Sequence, residues 1–69
     1  MTRQAIIDLR HKIEHGGTYD GRIYRYTIGR DGRIYRIRLD YLDTTAARDS
    51  WETLHGRQID RQTAKEIIF

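Results

Sequence analysis

The chain has 69 residues, 33% of them charged and 38% hydrophobic, with a net charge of +3 and neither cysteine nor proline. At this length one domain, residues 1–69, is expected, and its core is small, because a ~60-residue domain buries only about 60% of the surface its unfolded chain exposes. Disulfides and thiolate metal sites are excluded as staples, and a reducing cytoplasm is the expected location. No apolar run approaches the roughly 20 residues that span a bilayer, and the opening MTRQAIIDLRHK lacks the apolar centre of a signal peptide, so a soluble chain with no membrane partner is expected.

Thr2 is suited to cap a first helix over residues 3–15, in which Ala5, Ile6, Leu9 and Ile13 form an apolar stripe at helical spacing. Gly16-Gly17 supplies its stop. His11, Glu14 and His15 match the H-x-x-E-H pattern in which two histidines one turn apart bind zinc beside a general base. Both histidines fall opposite the stripe, which makes a solvated helix face the expectation, and no metal or other cofactor is expected. Thr18 to Gly21 forms a connector with its own turn signal at Asp20-Gly21, and an extra strand at Thr18-Tyr19 is an open alternative.

From Arg22 to Leu42 the chain reads as a β-hairpin turning at Asp31-Gly32, a strong two-residue turn signal. A two-residue loop would pair Ile28 with Tyr35, Tyr26 with Ile37 and Tyr24 with Leu39; a loop over residues 29–32 keeps the same sidedness. Either way Tyr24, Tyr26, Ile28, Tyr35, Ile37, Leu39 and Tyr41 share an apolar face, while Ile23, Arg25, Thr27, Arg36, Arg38 and Asp40 share the other. The tyrosines on such a face are expected in the core and at its edge, not as base-stacking platforms. The hexamer Asp-Gly-Arg-Ile-Tyr-Arg occurs at residues 20–25 and again at 31–36, which reads as reuse of one turn-and-strand device.

Between residues 22 and 38, Arg22, Arg25, Arg30, Arg33, Arg36 and Arg38 stand against Asp31, a local +5, so the rest of the chain sums to −2. Arginine outnumbers lysine 11 to 2, which favours planar, bidentate contact with phosphate or carboxylate. In the expected registers Arg25 opposes Arg38 or Arg36, a repulsive pairing that suggests a face kept for a partner.

Asp43-Thr44-Thr45 is a group of capping residues preceding an expected second helix, residues 46–55, with Ala47, Trp51 and Leu54 on one side and Gly56 as its stop. A short last helix is expected over residues 61–68, capped by Asp60 and apolar at Ala64, Ile67 and Ile68. The expected fold class is α+β in the order α-β-β-α-α, with an antiparallel β-hairpin carrying its helices on one face. The expected core is Ile6, Leu9, Ile13, Tyr26, Ile37, Leu39, Trp51 and Leu54. Off-stripe Ile7 and terminal Ile67-Ile68-Phe69 suggest apolar surface for a homodimer.

The run from Gly21 to Trp51, with arginine-rich strands about a D-G turn followed by Leu42-Asp43-Thr44-Thr45-Ala46-Ala47 and a helix bearing Trp51, resembles the strand-strand-helix pattern of the arm-type DNA-binding domains of tyrosine recombinases. It is similar in the same way to the related plant ethylene-response-factor domain. The resemblance covers under half the chain and implies that the exposed sheet face enters the DNA major groove, with Arg25, Arg36 and Arg38 as contacts. Those domains have three strands and lack the helix in front.

No nucleophile elbow, glycine-rich phosphate loop or paired carboxylates occur, so no enzyme and no catalytic residues are expected. The expected function is a binding module whose arginine-rich hairpin, through Arg22, Arg25, Arg30, Arg33, Arg36 and Arg38, meets a polyanion, duplex DNA first. The competing expectation is a protein-binding inhibitor or adaptor, in the manner of small phage-encoded, anti-CRISPR-like anti-defence proteins that dock on nucleic-acid-handling complexes.

Overall fold

A computed structural model describes residues 1–43, 47 and 49–69. Helix α1 spans Arg3–Lys12 and is capped as expected, the Thr2 hydroxyl accepting from the Ala5 amide at 3.1 Å. It stops before His15 because Ile13 turns extended (φ −83°, ψ 114°) and is buried against the sheet. Gly16, at φ +74°, carries the chain through the left-handed region where only glycine is unstrained. The chain then enters β1, Thr18–Asp20, the strand that the sequence left open.

Strands β2, Tyr24–Ile28, and β3, Ile34–Arg38, form the expected hairpin. They join β1 and a short β4, Glu52–Thr53, in an antiparallel sheet of order β1-β2-β3-β4. The register is not the expected one. Ile28 pairs with Ile34, Tyr26 with Arg36 and Tyr24 with Arg38, leaving residues 29–33 in the loop. Because side chains alternate along a strand, this one-residue shift exchanges the faces of β3 relative to β2. Tyr24, Tyr26 and Ile28 share a face with Ile34, Arg36 and Arg38, while Arg25 and Thr27 share the other with Tyr35 and Ile37.

The loop explains the shift. Gly32, at φ +82°, makes the tight turn, its amide bonding the Gly29 carbonyl at 2.9 Å, while the Gly29 amide bonds the Arg33 carbonyl at 2.8 Å. The Asp31 carboxylate accepts from the Arg33 amide at 3.1 Å and from the Tyr35 hydroxyl at 2.5 Å. Asp31 and Gly32 are therefore the turning point, but within a wider loop than a two-residue hairpin.

Each sheet face has its own apolar cluster. On one, Ile34 packs with Leu9 and Ile13, flanked by Ile6, Tyr19, Tyr26 and Leu54, so α1 covers this side. On the other, Tyr35, Ile37 and Trp51 pack with Ala64 of the last helix, α2, Arg61–Ile67, together with Ile59, Ile67 and Ile68. The class is α+β as expected, but the helices lie on opposite faces and not together on one. Four of the eight expected core residues, Leu9, Ile13, Ile37 and Trp51, are buried, and Ile6, Tyr26, Leu39 and Leu54 are half-buried. Ile34 and Tyr35 join the core because the register turns both faces of β3 inward.

The expected second helix over residues 46–55 is corrected in its second half. Trp51 leads into β4, and the Thr53 amide bonds the Arg57 carbonyl at 2.8 Å across a turn at Gly56, φ +87°. Thr44 and Thr45, expected as capping residues, and Ala46 and Arg48 of that expected helix lie outside the described residues. The sequence Trp51-Glu52-Thr53-Leu54 fits a helix stripe, but the sheet edge takes it as a strand: Tyr35 pairs with Thr53 and Arg36 with Glu52. Leu39–Tyr41 forms one 3₁₀ turn. The last helix forms as expected, Asp60 accepting from the Thr63 amide at 2.7 Å. Among the described residues no helix is long and apolar enough to cross a membrane.

The tightest packing is at Gly29, where a Cβ would meet an Asp31 carboxylate oxygen and a Tyr35 ring carbon at 2.8 Å, and the Ile67 carbonyl at 3.1 Å. The Arg30 amide reaches that same carbonyl at 2.7 Å, so the loop is clamped onto the end of α2. Gly29→Ala is expected to destabilise the fold by about 1–3 kcal/mol, the usual range for overpacking. Gly32→Ala meets no atom within 4 Å and suffers only its positive φ. Urea melts of the two variants check this, and equal stability of G29A and the parent would refute the clamp.

Candidate functional site

The six arginines expected to form one basic surface are distributed over both faces and both ends of the sheet. Arg25 sits beside Asp20 on the neighbouring strand, donating from Nε and Nη2 to the two carboxylate oxygens at 2.6 and 2.9 Å. This bidentate pair holds the Asp20 carboxyl below its ordinary pKa, chiefly through the hydrogen bond, and raises that of Arg25. Arg36 donates to Glu52 at 2.6 Å on the opposite face, with both side chains only about a fifth to a quarter exposed (20% and 24%), and lies 4.1 Å from the centre of the Tyr24 ring. Arg38 donates to both oxygens of Asp40 at 3.1 and 2.9 Å and lies over Tyr41. The nearby Asp40 charge is the main reason its pKa is raised.

Arg25 therefore opposes Ile37, not another arginine, and no like-charge clash exists between these strands. The expectation that Arg25, Arg36 and Arg38 share one basic face fails because the register separates Arg25 from the others, and each guanidinium also has a carboxylate beside it. Arg30 also has an internal task. Its guanidinium donates to the Glu66 and Phe69 carbonyls at 3.2 and 3.3 Å, satisfying acceptors that the end of α2 would leave open. Arg22 is exposed at the turn between β1 and β2, at the opposite end of the sheet from the hairpin loop.

Arg33 differs from these. Beside it, at the loop end of the sheet, lies a cleft of about 430 Å³ whose lining also includes Arg10 from α1 and His55 and Arg57 from the turn after β4. Its lining contains no carboxylate, and its apolar part includes the aliphatic side chains Ile6, Ile34 and Leu54 together with Tyr35. Arg10 is held in place by donating to the Gly32 carbonyl at 2.7 Å. Arg33 and Arg57 make no side-chain hydrogen bond or ion pair among the described residues, although the Arg33 charge helps keep Asp31 ionised. Three separate chain segments thus converge on one basic concavity, in which only Arg33 was expected.

Arg10 and Arg57 were missed because their proximity is tertiary. The one sequence signal is that Arg10 follows Ile6 by four positions, so a long cation borders the apolar stripe of a helix, where its stem can cover apolar surface with the charge outside. His11, Glu14 and His15 are exposed.

Tyr35 and Asp31 brace this end. Burial and the hydrogen bond to Asp31 push the Tyr35 phenol up to about 12. Burial pushes the Asp31 carboxyl up, but the bonds from the Tyr35 hydroxyl and the Arg33 amide outweigh it and leave the pKa lowered. Comparison of the chain with protein-family models, characterised proteins and solved structures finds no match.

A phenol whose folded pKa is raised contributes stability that is fully present below its unfolded pKa near 10 and is lost as pH rises through its folded value. Alkaline titration followed by tyrosinate absorbance should show one phenol ionising near 12, accompanied by loss of stability between about pH 10 and 12. Asp31→Asn should bring that phenol down while leaving the contribution of burial. A Tyr35 titration unmoved by the substitution would refute the brace.

Proposed function

We propose that the protein is a non-enzymatic binding module for a polyanionic partner, with the phosphate backbone of duplex DNA as that partner. The observation that supports this reading is the convergence of Arg10, Arg33 and Arg57 around a cleft with no carboxylate in its lining. Guanidinium groups match phosphate with two parallel hydrogen bonds, and each phosphate neutralised releases condensed counterions from the duplex. The paired arginines Arg25, Arg36 and Arg38 can approach phosphate only by sharing or leaving a carboxylate, so they rank behind the cleft.

The groove insertion implied by the recombinase-type resemblance would need a sheet face free of its neighbours. Here β2 and β3 are the inner strands of the sheet, and α1 and α2 pack on its two faces. The proposed contact is therefore the loop end of the sheet and not its flat face. The aliphatic lining of the cleft favours a second reading, in which an acidic segment of a nucleic-acid-handling protein binds there, since arginine and buried apolar contact together anchor protein interfaces.

Two triple variants separate the arginine groups. Arg10→Gln, Arg33→Gln and Arg57→Gln together should reduce the magnitude of the negative slope of log K against log salt by about 0.9 per lost phosphate contact, nearly three in all. Replacing Arg25, Arg36 and Arg38 by Gln should change the slope less but lower thermal stability, because Glu52 loses its partner while half-buried. Fluorescence anisotropy with duplex DNA at several salt concentrations and parallel thermal melts measure both. An unchanged slope in the first variant, or a larger loss of slope in the second, would contradict the assignment.

A further inference from the structure

A strand of nucleic acid running past a surface presents one charge per phosphate to whatever lies beneath it, and a convex basic ridge serves it well. The loop-end site is concave, about 430 Å³ in volume, which falls within the range of roughly 300–1,000 Å³ typical of sites for small ligands. Its shape suits a group that projects inward. Its chemistry has two parts: the basic lining of Arg10, Arg33 and Arg57 with His55, and the aliphatic lining of Ile6, Ile34 and Leu54. A passing backbone or a bare inorganic anion would use the first part and leave the second wet.

We infer that this cleft binds a terminal phosphomonoester of a nucleic-acid strand, with the phosphate on the arginines and the last nucleoside against the aliphatic lining. The inference rests on the polyanion reading and narrows it to strand ends. A phosphomonoester carries about −1.5 to −2 charge at pH 7 and three acceptor oxygens, against a single charge on each internal phosphodiester. Several guanidinium-bearing residues lining one cleft therefore favour an end over the middle of a strand. Arg10 is already positioned by its bond to the Gly32 carbonyl, and Arg33 and Arg57 break no side-chain pairing among the described residues to reach a phosphate. The planar guanidinium groups can also stack on a base, which an aliphatic lining alone cannot do.

The test uses short single-stranded oligonucleotides, labelled away from the end in question and carrying either a terminal phosphate or a terminal hydroxyl. Both 5′ and 3′ ends are tried, with anisotropy as the readout and the full chain as the protein. The phosphorylated form at one end should bind about tenfold tighter. A free nucleoside monophosphate should compete for that preference better than inorganic phosphate does. Arg33→Gln with Arg57→Gln should bring the ratio close to one without lowering the melting temperature, and Arg33→Gln alone provides the same check should the double variant fold poorly. Equal binding of the phosphate and hydroxyl ends by the parent would overturn the inference while leaving polyanion binding intact. Absence of binding to any nucleic acid would remove both. Displacement of the phosphorylated strand by an acidic peptide of equal charge, more strongly than by the same unlabelled strand, would overturn it and assign the cleft to a protein partner.

Discussion

The pairing of Ile28 with Ile34 sets the side on which every later residue of the sheet lies. Strand side chains have a period of two, so a loop over residues 29–33 instead of one a residue shorter sends Tyr35 and Ile37 to the face of α2, and Ile34 and Arg36 to the face of α1. Three contacts favour that loop over its neighbours: the Tyr35 hydroxyl on Asp31, the Gly29 approach to the end of α2, and the Arg30 amide on the Ile67 carbonyl. The last two join the turn to residues more than thirty positions later. The register therefore depends on the docking of the C-terminal helix as well as on turn chemistry, a coupling that a hairpin considered alone does not contain.

The same parity decides the electrostatics. In the alternative registers Arg25 would face Arg36 or Arg38, and a basic sheet face would result. In the observed one, Arg25 lies on the face away from Arg36 and Arg38, and its partner is Asp20 of β1, while Arg36 pairs with Glu52 of β4 and Arg38 with Asp40 two residues on. The exposed pairs contribute little to stability, as surface ion pairs generally do, but each removes a cation from the potential that a partner would feel. Arg33 and Arg57, which have no such ion pair among the described residues, lie at the loop end, where chain segments far apart in sequence meet. The basic character legible in the composition is real; its location depends on the register.

Elements whose information is local were legible. Thr2 and Asp60 cap their helices through their own side chains, the Asp31-Gly32 turn signal marks the hairpin, and Trp51 is buried as its size suggests. The parity of the hairpin was not, because both registers considered gathered apolar residues on one side, and that pattern presumes a sheet with one covered face. Here both faces are covered, so Ile34 and Tyr35, adjacent in sequence, are buried on opposite sides. The segment from Trp51 to Leu54 has helix spacing, three positions between its apolar residues, but the edge of β3 takes it as a strand, which puts Trp51 and Leu54 into the clusters on opposite faces. For the site, Arg33 could be named from the hairpin, but Arg10 and Arg57 join it only through α1 packing and the turn after β4.

Stability alone gives no reason for the cluster at the loop end. The chain has ten carboxylates, and the described ion pairs engage Asp20, Asp40, Asp49 and Glu52, all outside the cleft lining. Cationic side chains that line one cleft repel one another more in the folded chain than in the unfolded one, and of the three arginines only Arg33 has a carboxylate, Asp31, acting on it among the described residues. A ligand that supplies the missing negative charge reverses the sign of that effect, and any species binding only the folded chain stabilises it by mass action. In a domain with so small a core a contribution of that kind is a sizeable fraction of the total.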